Sequence, residues 1–494
     1  MRHFVSTVRK LFQSSGLLVG IRLFQRSLGL ISTLILARLL TPADFGIVAV
    51  AALIIHFSEV LSNTGIQQYL VQADEATNEV VNTAWTLDIL LKVAVCVLLY
   101  LALPGINWLY DDANIMYAVG TLIPVIAIRA MMNPELHVQR RNLSYGIIFR
   151  IGVIQKLVSF VVVIIVAFQT RSFWAIVIGD LVSSIMGVVL SYYYCARRPK
   201  LSLRNVGTQW LFSRWMLARG SIGYLRAQID TLLISQFYSL SDLGKFNIAR
   251  EFTIMPATEV IQPAVEPLLA TFSSVRLDKT KIAQQVSLAL LLISTFTAPF
   301  VAFTYQFHEA IIFYLLGEQW MEAAPLMQAM TPLLFAFALG GVLNNLCFAL
   351  AKVKTVFWYD FFSLTLIAVV LVSSQGLLLE SFVWVRSFLG LAMVTAFLFV
   401  CSRLISANFL TQVCLLVIPL LASFFAVKVA TILCFKQSFL TLVFSGFVFA
   451  VFYSALMLCL AGVLSKRSRT WRYLYEYSME FLKRLIGKVL RTTK

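Results

Sequence analysis

Apolar residues along this chain come in blocks of about twenty, without a period of two, and polar residues gather in the short gaps between blocks. A block of that length spans a bilayer core as a helix. Runs that do not alternate argue against a membrane barrel. The pattern predicts fourteen spans, near 16–40, 45–70, 83–103, 113–133, 145–168, 173–194, 215–238, 244–270, 283–305, 324–350, 355–375, 380–402, 409–434 and 438–464. The fold class expected is therefore all-α, a polytopic membrane protein. The largest non-spanning piece is a C-terminal tail of about thirty residues, so no gap can house a soluble catalytic domain.

Two gaps share a phrase. "LTPADFG" closes the first span and "YSLSDLG" the seventh, with Thr41 and Ser239 each followed three residues on by an acid, Asp44 or Asp242, and then by Gly46 or Gly244. Hydroxyl-x-x-acid reads as a capping box. The hydroxyl accepts from an early N–H of the next helix, and the acid complements that helix's positive end. Pro42 suits the first helical position. Two copies, 198 residues apart, suggest duplicated halves.

Composition sharpens the membrane reading. The chain is 60% hydrophobic and 13% charged, with a formal net charge of +17. With the N-terminus inside, cytoplasmic segments hold 25 of the 40 lysines and arginines, external loops hold three (Arg171, Lys245, Lys436), and twelve fall within spans. That bias predicts both termini in the cytoplasm. The positive surplus thus faces anionic lipid rather than nucleic acid. In the tail, Trp471, Leu474, Tyr475, Phe481, Leu482, Leu485, Ile486 and Val489 recur at helical spacing between basic residues, which reads as an amphipathic helix on the membrane. The N-terminus lacks a short apolar core with a cleavage site, so no cleaved signal is expected. Seven cysteines are scattered singly and read as packing residues, without a disulfide or metal spacing.

The charges inside spans carry the chemistry, because each costs about 2.5–3.5 kcal/mol at a helix centre. The cations are Arg22, Arg26, Arg38, Lys92, Arg129, Arg150, Lys156, Arg219, Arg226, Arg250, Arg386 and Lys428. The acids are Glu59, Asp88, Asp180, Asp230, Glu251, Glu259, Glu266 and Asp360, too few to pair them all. Arg22 and Arg26 are four apart in the first span, and Arg219 and Arg226 seven apart in the seventh, so each pair shares one helix face. Guanidinium groups suit phosphate oxygens, and two such stripes would make a cavity hospitable to a pyrophosphate. The competing reading is structural. Asp88 can pair with Lys92 and Arg226 with Asp230, each one turn away, and Arg38 and Arg250 can snorkel. His56 and Glu59, three apart on the second span, could carry a coupling proton or simply hydrogen-bond in the bundle. Asn63, Asn344 and Asn345 could line the cavity or bridge helices. Pro256, Pro263 and Pro267 should interrupt the eighth span, and Pro124 and Pro134 the fourth. No P-loop, metal-spaced His/Cys cluster or nucleophile elbow is present. No cofactor is expected, and any active transport would draw on a gradient such as H⁺ or Na⁺.

The phrases "ARLLTPADFGIVAVA", "NTGIQQYLVQADEATNEVVNTAWTLD", "MMNPELHVQRRNLSYGIIFRIGVIQKL", "IDTLLISQFYSLSDLGKFNIAREFTIMP" and "LLGEQWMEAAPLM", in that order, resemble the polysaccharide-transporter branch of the MOP superfamily, the Wzx-type flippases of lipid-linked oligosaccharides. The resemblance implies an N-lobe (1–195), a basic linker (196–214), a C-lobe (215–403), two extra spans (404–464) and a basic tail (465–494). It also implies alternating access for an undecaprenyl-diphosphate-linked oligosaccharide, a transporter rather than an enzyme, and polymerase and glycosyltransferases of the same pathway as partners. Two rivals stand beside it. A multidrug or cation antiporter of the same superfamily should carry acids in excess within its lobes. An integral-membrane polymerase or ligase should need a long external loop with catalytic Arg or His. The longest loop here, before the tenth span, is about eighteen residues with His308 its one candidate.

Overall fold

A computed structural model describes residues 24–66, 70, 77–141, 144–204, 206–433, 438–466, 468–476 and 479–480, apart from several side chains between 208 and 222 and that of residue 433. The described chain is helical, with no strand among the described residues. Contacts divide it into two compact units, Met1–Asn247 and Ile248–Lys494.

The first unit holds α1 (24–39), α2 (Pro42–Leu61), α3 (Asn78–Tyr110), α4 (Ala113–Ala130), short α5 (Glu135–Arg141), α6 (Gly146–Thr170), α7 (Trp174–Tyr194), α8 (Val206–Phe237) and the start of α9 (Leu240–Pro256). Both hydroxyl caps form, the first as a full capping box. The Asp44 N–H donates to Thr41 Oγ1 at 3.3 Å while the Thr41 N–H donates to Asp44 Oδ2 at 2.9 Å. The Asp242 N–H likewise donates to Ser239 Oγ at 3.1 Å. The two phrases also touch each other. A Cβ on Gly46 would lie 1.9 Å from the Leu240 carbonyl oxygen, and one on Gly244 would lie 1.9 Å from that of Pro42. Only glycine permits this approach, which explains why both copies of the phrase carry one.

Elsewhere in this unit α6 packs along α7, α3 along α4, and α2 lies against both α4 and α8. Small residues at every fourth position of α7 make its contact with α6. Gly179 sits against Val163, Ser183 accepts from Gln155 Nε2 at 3.1 Å, and Gly187 faces Gln155. Small-residue seams let membrane helices approach where burial alone gives no driving force.

The second unit continues α9 and then breaks. A π-turn (Ala257–Ile261) is followed by α10 (Gln262–Val265) and α11 (Leu268–Ser274), as the three prolines predict. The apolar side of the broken segment (Ala257, Ile261, Val265, Phe272) is buried, and Asn345 Nδ2 donates to the Val265 carbonyl at 2.9 Å. Asn345 thus bridges helices, the kind of support that lets a membrane segment tolerate proline. Beyond it come α12 (Lys279–Leu316), a 3₁₀ turn (Glu318–Ala323), α13 (Ala324–Ala329), α14 (Thr331–Ala349), α15 (Val353–Ser373), α16 (Leu379–Leu404), α17 (Phe409–Leu433) and α18 (Phe439–Leu464). Polar stitches join α12 to α17: Gln412 to Ser287 (2.8 Å), Ser294 to the Leu416 carbonyl (2.8 Å) and Ser423 to the Ala298 carbonyl (2.9 Å).

Among the described residues, eleven helices are long and apolar enough to cross a membrane. Three of the fourteen sequence runs do not reach that standard. Residues 24–39 are the described part of the first, α8 carries too many charged and polar residues, and the eighth is broken by its prolines. Two expectations need correction. Pro124 does not interrupt the fourth span but lies inside α4, and Pro104 likewise lies inside α3. The supposed loop before the tenth span is helical: α12 runs on to Leu316 past a kink at Phe307, and His308 Nδ1 lies 2.9 Å from the Tyr305 carbonyl oxygen. The cysteines fit the packing role expected of them where they are buried: Cys347 and Cys401 are free thiols in the core of the second unit, their sulfurs 3.7 Å apart. In the tail, Trp471 and Leu474 are buried in the cluster formed with α17 and α18, while 481–494 lie outside the described residues.

Candidate functional site

Among the described residues of the first unit, a charged network is built on α2, α4 and α7. Arg129, near the end of α4, donates to Glu59 of α2 at 2.7 Å, to Asp180 of α7 at 2.6 Å and to Ser184 at 3.1 Å. Glu59 in turn meets His56 Nδ1 at 3.0 Å, one turn back on α2. A guanidinium fork suits this task, because its donors can serve two carboxylates and a hydroxyl at once. The group carries one negative charge when His56 is neutral and none when it is protonated. His56 is the most open member, its side chain 54% exposed against 32% for Arg129.

The same stretch of α2 leans on α8. The Tyr224 hydroxyl donates to the Leu53 carbonyl at 2.8 Å, its ring lies 5.7 Å from that of Phe57, and Gly220 faces Val60. Leu53, Phe57 and Val60 share one helical face, with His56 and Glu59 about 60° and 120° around from it. The α8 segment bearing Arg219 and Arg226 therefore runs beside the His56–Glu59 pair.

The sequence-predicted residues fare differently. Arg22 lies outside the described residues, as does the side chain of Arg219. Arg26 is part-buried on α1, and Arg226 is part-buried on α8 with Asp230 buried one turn further on. Asp88 and Lys92 form the one-turn pair at 2.7 Å, and Thr64 Oγ1 donates to Asp88 at 2.8 Å. Asn63 turns the chain locally, accepting from the Gly65 N–H at 3.0 Å. Sequence reasoning noticed Arg129 and Asp180 as charges in spans but did not join them to Glu59. Among the described residues no group of three or more His, Cys, Asp or Glu could hold a metal ion.

With this geometry in view, comparison with known proteins is informative. The family described as polysaccharide biosynthesis protein matches residues 35–325. The lipopolysaccharide biosynthesis protein WzxC of Escherichia coli is 23% identical over 353 residues, covering 68% of this chain and 69% of that protein. The succinoglycan biosynthesis transport protein ExoT of Rhizobium meliloti is also 23% identical, covering 59% of this chain and 60% of its own length. Among solved structures, the lipid II flippase MurJ in an inward closed conformation aligns with a TM-score of 0.73 at 14% identity, over 90% of this chain and 98% of that one. An inward-facing multidrug resistance MATE transporter of the MOP superfamily aligns at 0.59 and 12% identity, over 77% and 94%. The fold is thus shared across flippases and drug transporters, whereas the sequence relatives are polysaccharide proteins. This chain, a helical multi-pass membrane protein, belongs to the family described as polysaccharide biosynthesis protein.

Proposed function

We propose that this protein is a flippase that carries undecaprenyl-diphosphate-linked oligosaccharide units across the bacterial cytoplasmic membrane by alternating access, supplying surface polysaccharide. The observation that carries the reading is the family match across residues 35–325, in a chain with the helical fold that MurJ also has. In this proposal Arg22, Arg26, Arg219 and Arg226 hold the diphosphate, with Asp230 tempering the site so that it can release. His56 and Glu59, backed by Arg129 and Asp180, would exchange the coupling proton. The rival antiporter reading draws on the MATE-like fold. The polymerase reading loses its candidate loop, which is helical.

Deleting the gene and asking where lipid-linked repeat units accumulate separates the three. Units stranded on the cytoplasmic side are expected, whereas units stranded outside would indicate a polymerase, and no accumulation would favour the antiporter. Arg226→Ala is expected to insert normally and to abolish polymer export. Normal export by both Arg22→Ala and Arg226→Ala would remove the arginines from the site, and rescue by lysine would show that charge suffices without the guanidinium fork.

A further inference from the structure

After α7 ends at Tyr194, residues 195–204 form an irregular strap fastened to the ends of α3 and α5. Arg197 donates to Glu135 at 2.5 Å and to Asn78 Oδ1 at 2.7 Å. Its carbonyl accepts from Asn133 at 2.8 Å. The Lys200 N–H donates to Asn82 Oδ1 at 3.2 Å, the Ser202 N–H donates to Thr86 at 2.9 Å, and Arg204 pairs with Glu79. Between strap and helices lies a cavity of about 810 Å³, lined among others by Asn78, Asn82, Glu135, Gln139, Arg198 and Lys200.

The lining is matched to an anion. Glu135 is already committed to Arg197, and neither Arg198 nor Lys200 has a carboxylate partner among the described residues. Arg198 is nevertheless fixed in place: it donates to the carbonyls of Cys195 (2.6 Å) and Arg197 (3.2 Å), and its guanidinium carbon lies 5.8 Å from the Tyr192 ring centre. The Asn78 and Asn82 amides each accept through oxygen, which leaves their nitrogens as donors on the cavity wall. Two cations and two amide donors around one basin suit a group with several charged oxygens, that is, a phosphate.

Depth selects the source of that phosphate. The last turn of α7 reads Tyr192–Tyr193–Tyr194, and Tyr193 is 78% exposed, as befits an aromatic at a membrane–water boundary. The strap cations follow directly, at headgroup level, on the face that the charge bias assigns to the cytoplasm. We propose that this basin binds the phosphate headgroup of an anionic phospholipid of that leaflet. The proposal stands apart from the transport reading and from the arginines assigned to it.

The test uses the full-length protein in detergent, with native mass spectrometry and thermal melts. Phosphatidylglycerol is expected to bind and to raise Tm, while phosphatidylcholine does neither. The double variant Arg198→Gln/Lys200→Gln removes two exposed side chains without a carboxylate partner, so it should fold. Its phosphatidylglycerol affinity is expected to fall about thirtyfold, from roughly 1 kcal/mol per basic residue near an anionic surface. Undiminished phosphatidylglycerol binding by this variant would overturn the site. Inorganic pyrophosphate protecting the wild type as well as the lipid does, at equal phosphate concentration, would overturn the lipid assignment.

Discussion

Arg129 illustrates what one side chain decides. It answers two carboxylates, so its removal strands both in a part-buried setting, and breaking a buried ion pair from one side typically costs about 3–5 kcal/mol. Arg129→Leu should therefore lower stability by roughly 3 kcal/mol, seen as a fall of several degrees in Tm in detergent. Adding Glu59→Gln and Asp180→Asn should recover most of it, and failure of that rescue would mean Arg129 acts by packing alone. His137 makes a different prediction. It lies on α5, outside the spanning helices, and its pKa is pushed down to about 4, by burial first and then by the nearby Arg140 and Lys92 charges. Its folded pKa is below the unfolded value near 6.5, so the unfolded chain gains a proton that the folded chain refuses. Stability should thus decline as pH falls from 6.5 to about 4. In His137→Gln that part of the decline should vanish, and melts across this range on both proteins would show it. Parallel curves for the two would refute the assignment.

At the scale of elements, the interlocked starts of α2 and α9 rest on two glycines. Alanine at position 46 would set a methyl 1.9 Å from the Leu240 carbonyl oxygen, part of the backbone, so the helices must move apart. Overpacking of this kind costs typically 1–3 kcal/mol. Gly46→Ala and Gly244→Ala should each lower Tm by several degrees, whereas Gly223→Ala, which meets nothing within 4 Å, should be neutral or slightly stabilising. Equal melts for all three would show that the crossing is not tight. The elements themselves were largely legible in the sequence. Both hydroxyl caps, the proline-broken eighth segment and the one-turn pairs His56–Glu59 and Asp88–Lys92 are local, fixed by helical geometry over three or four residues. Pro104, Pro124 and Pro299 show the limit, for at each of them the helix carries on past the proline. Whether proline ends a membrane helix depends on what neighbours supply to the freed carbonyl, and composition does not record that.

For the whole molecule, the testable statement is orientation. Counted over the fourteen predicted spans with the N-terminus inside, lysine and arginine fall 25 to 3 in favour of the cytoplasmic side. In a cysteine-free background, a cysteine placed at Arg171 should react with a membrane-impermeant maleimide in intact cells. One placed at Ser406 should react only after permeabilisation. The reverse pattern would invert the topology and would move the basic basin to the outer leaflet.

By itself the sequence determined that this is a helical membrane protein, roughly where most of its long apolar helices lie, and which family it resembles. Each follows from residues close together in the chain, where the hydrophobic run and helical periodicity act directly. Only the tertiary structure decided that Arg129 joins Glu59 and Asp180 across separations of 70 and 51 residues, that the two repeated phrases touch, and that the strap after α7 encloses a basic basin. Those partners are chosen by which helix faces pack together. That choice is made by small-residue seams and polar stitches acting jointly, and no single stretch of sequence contains it.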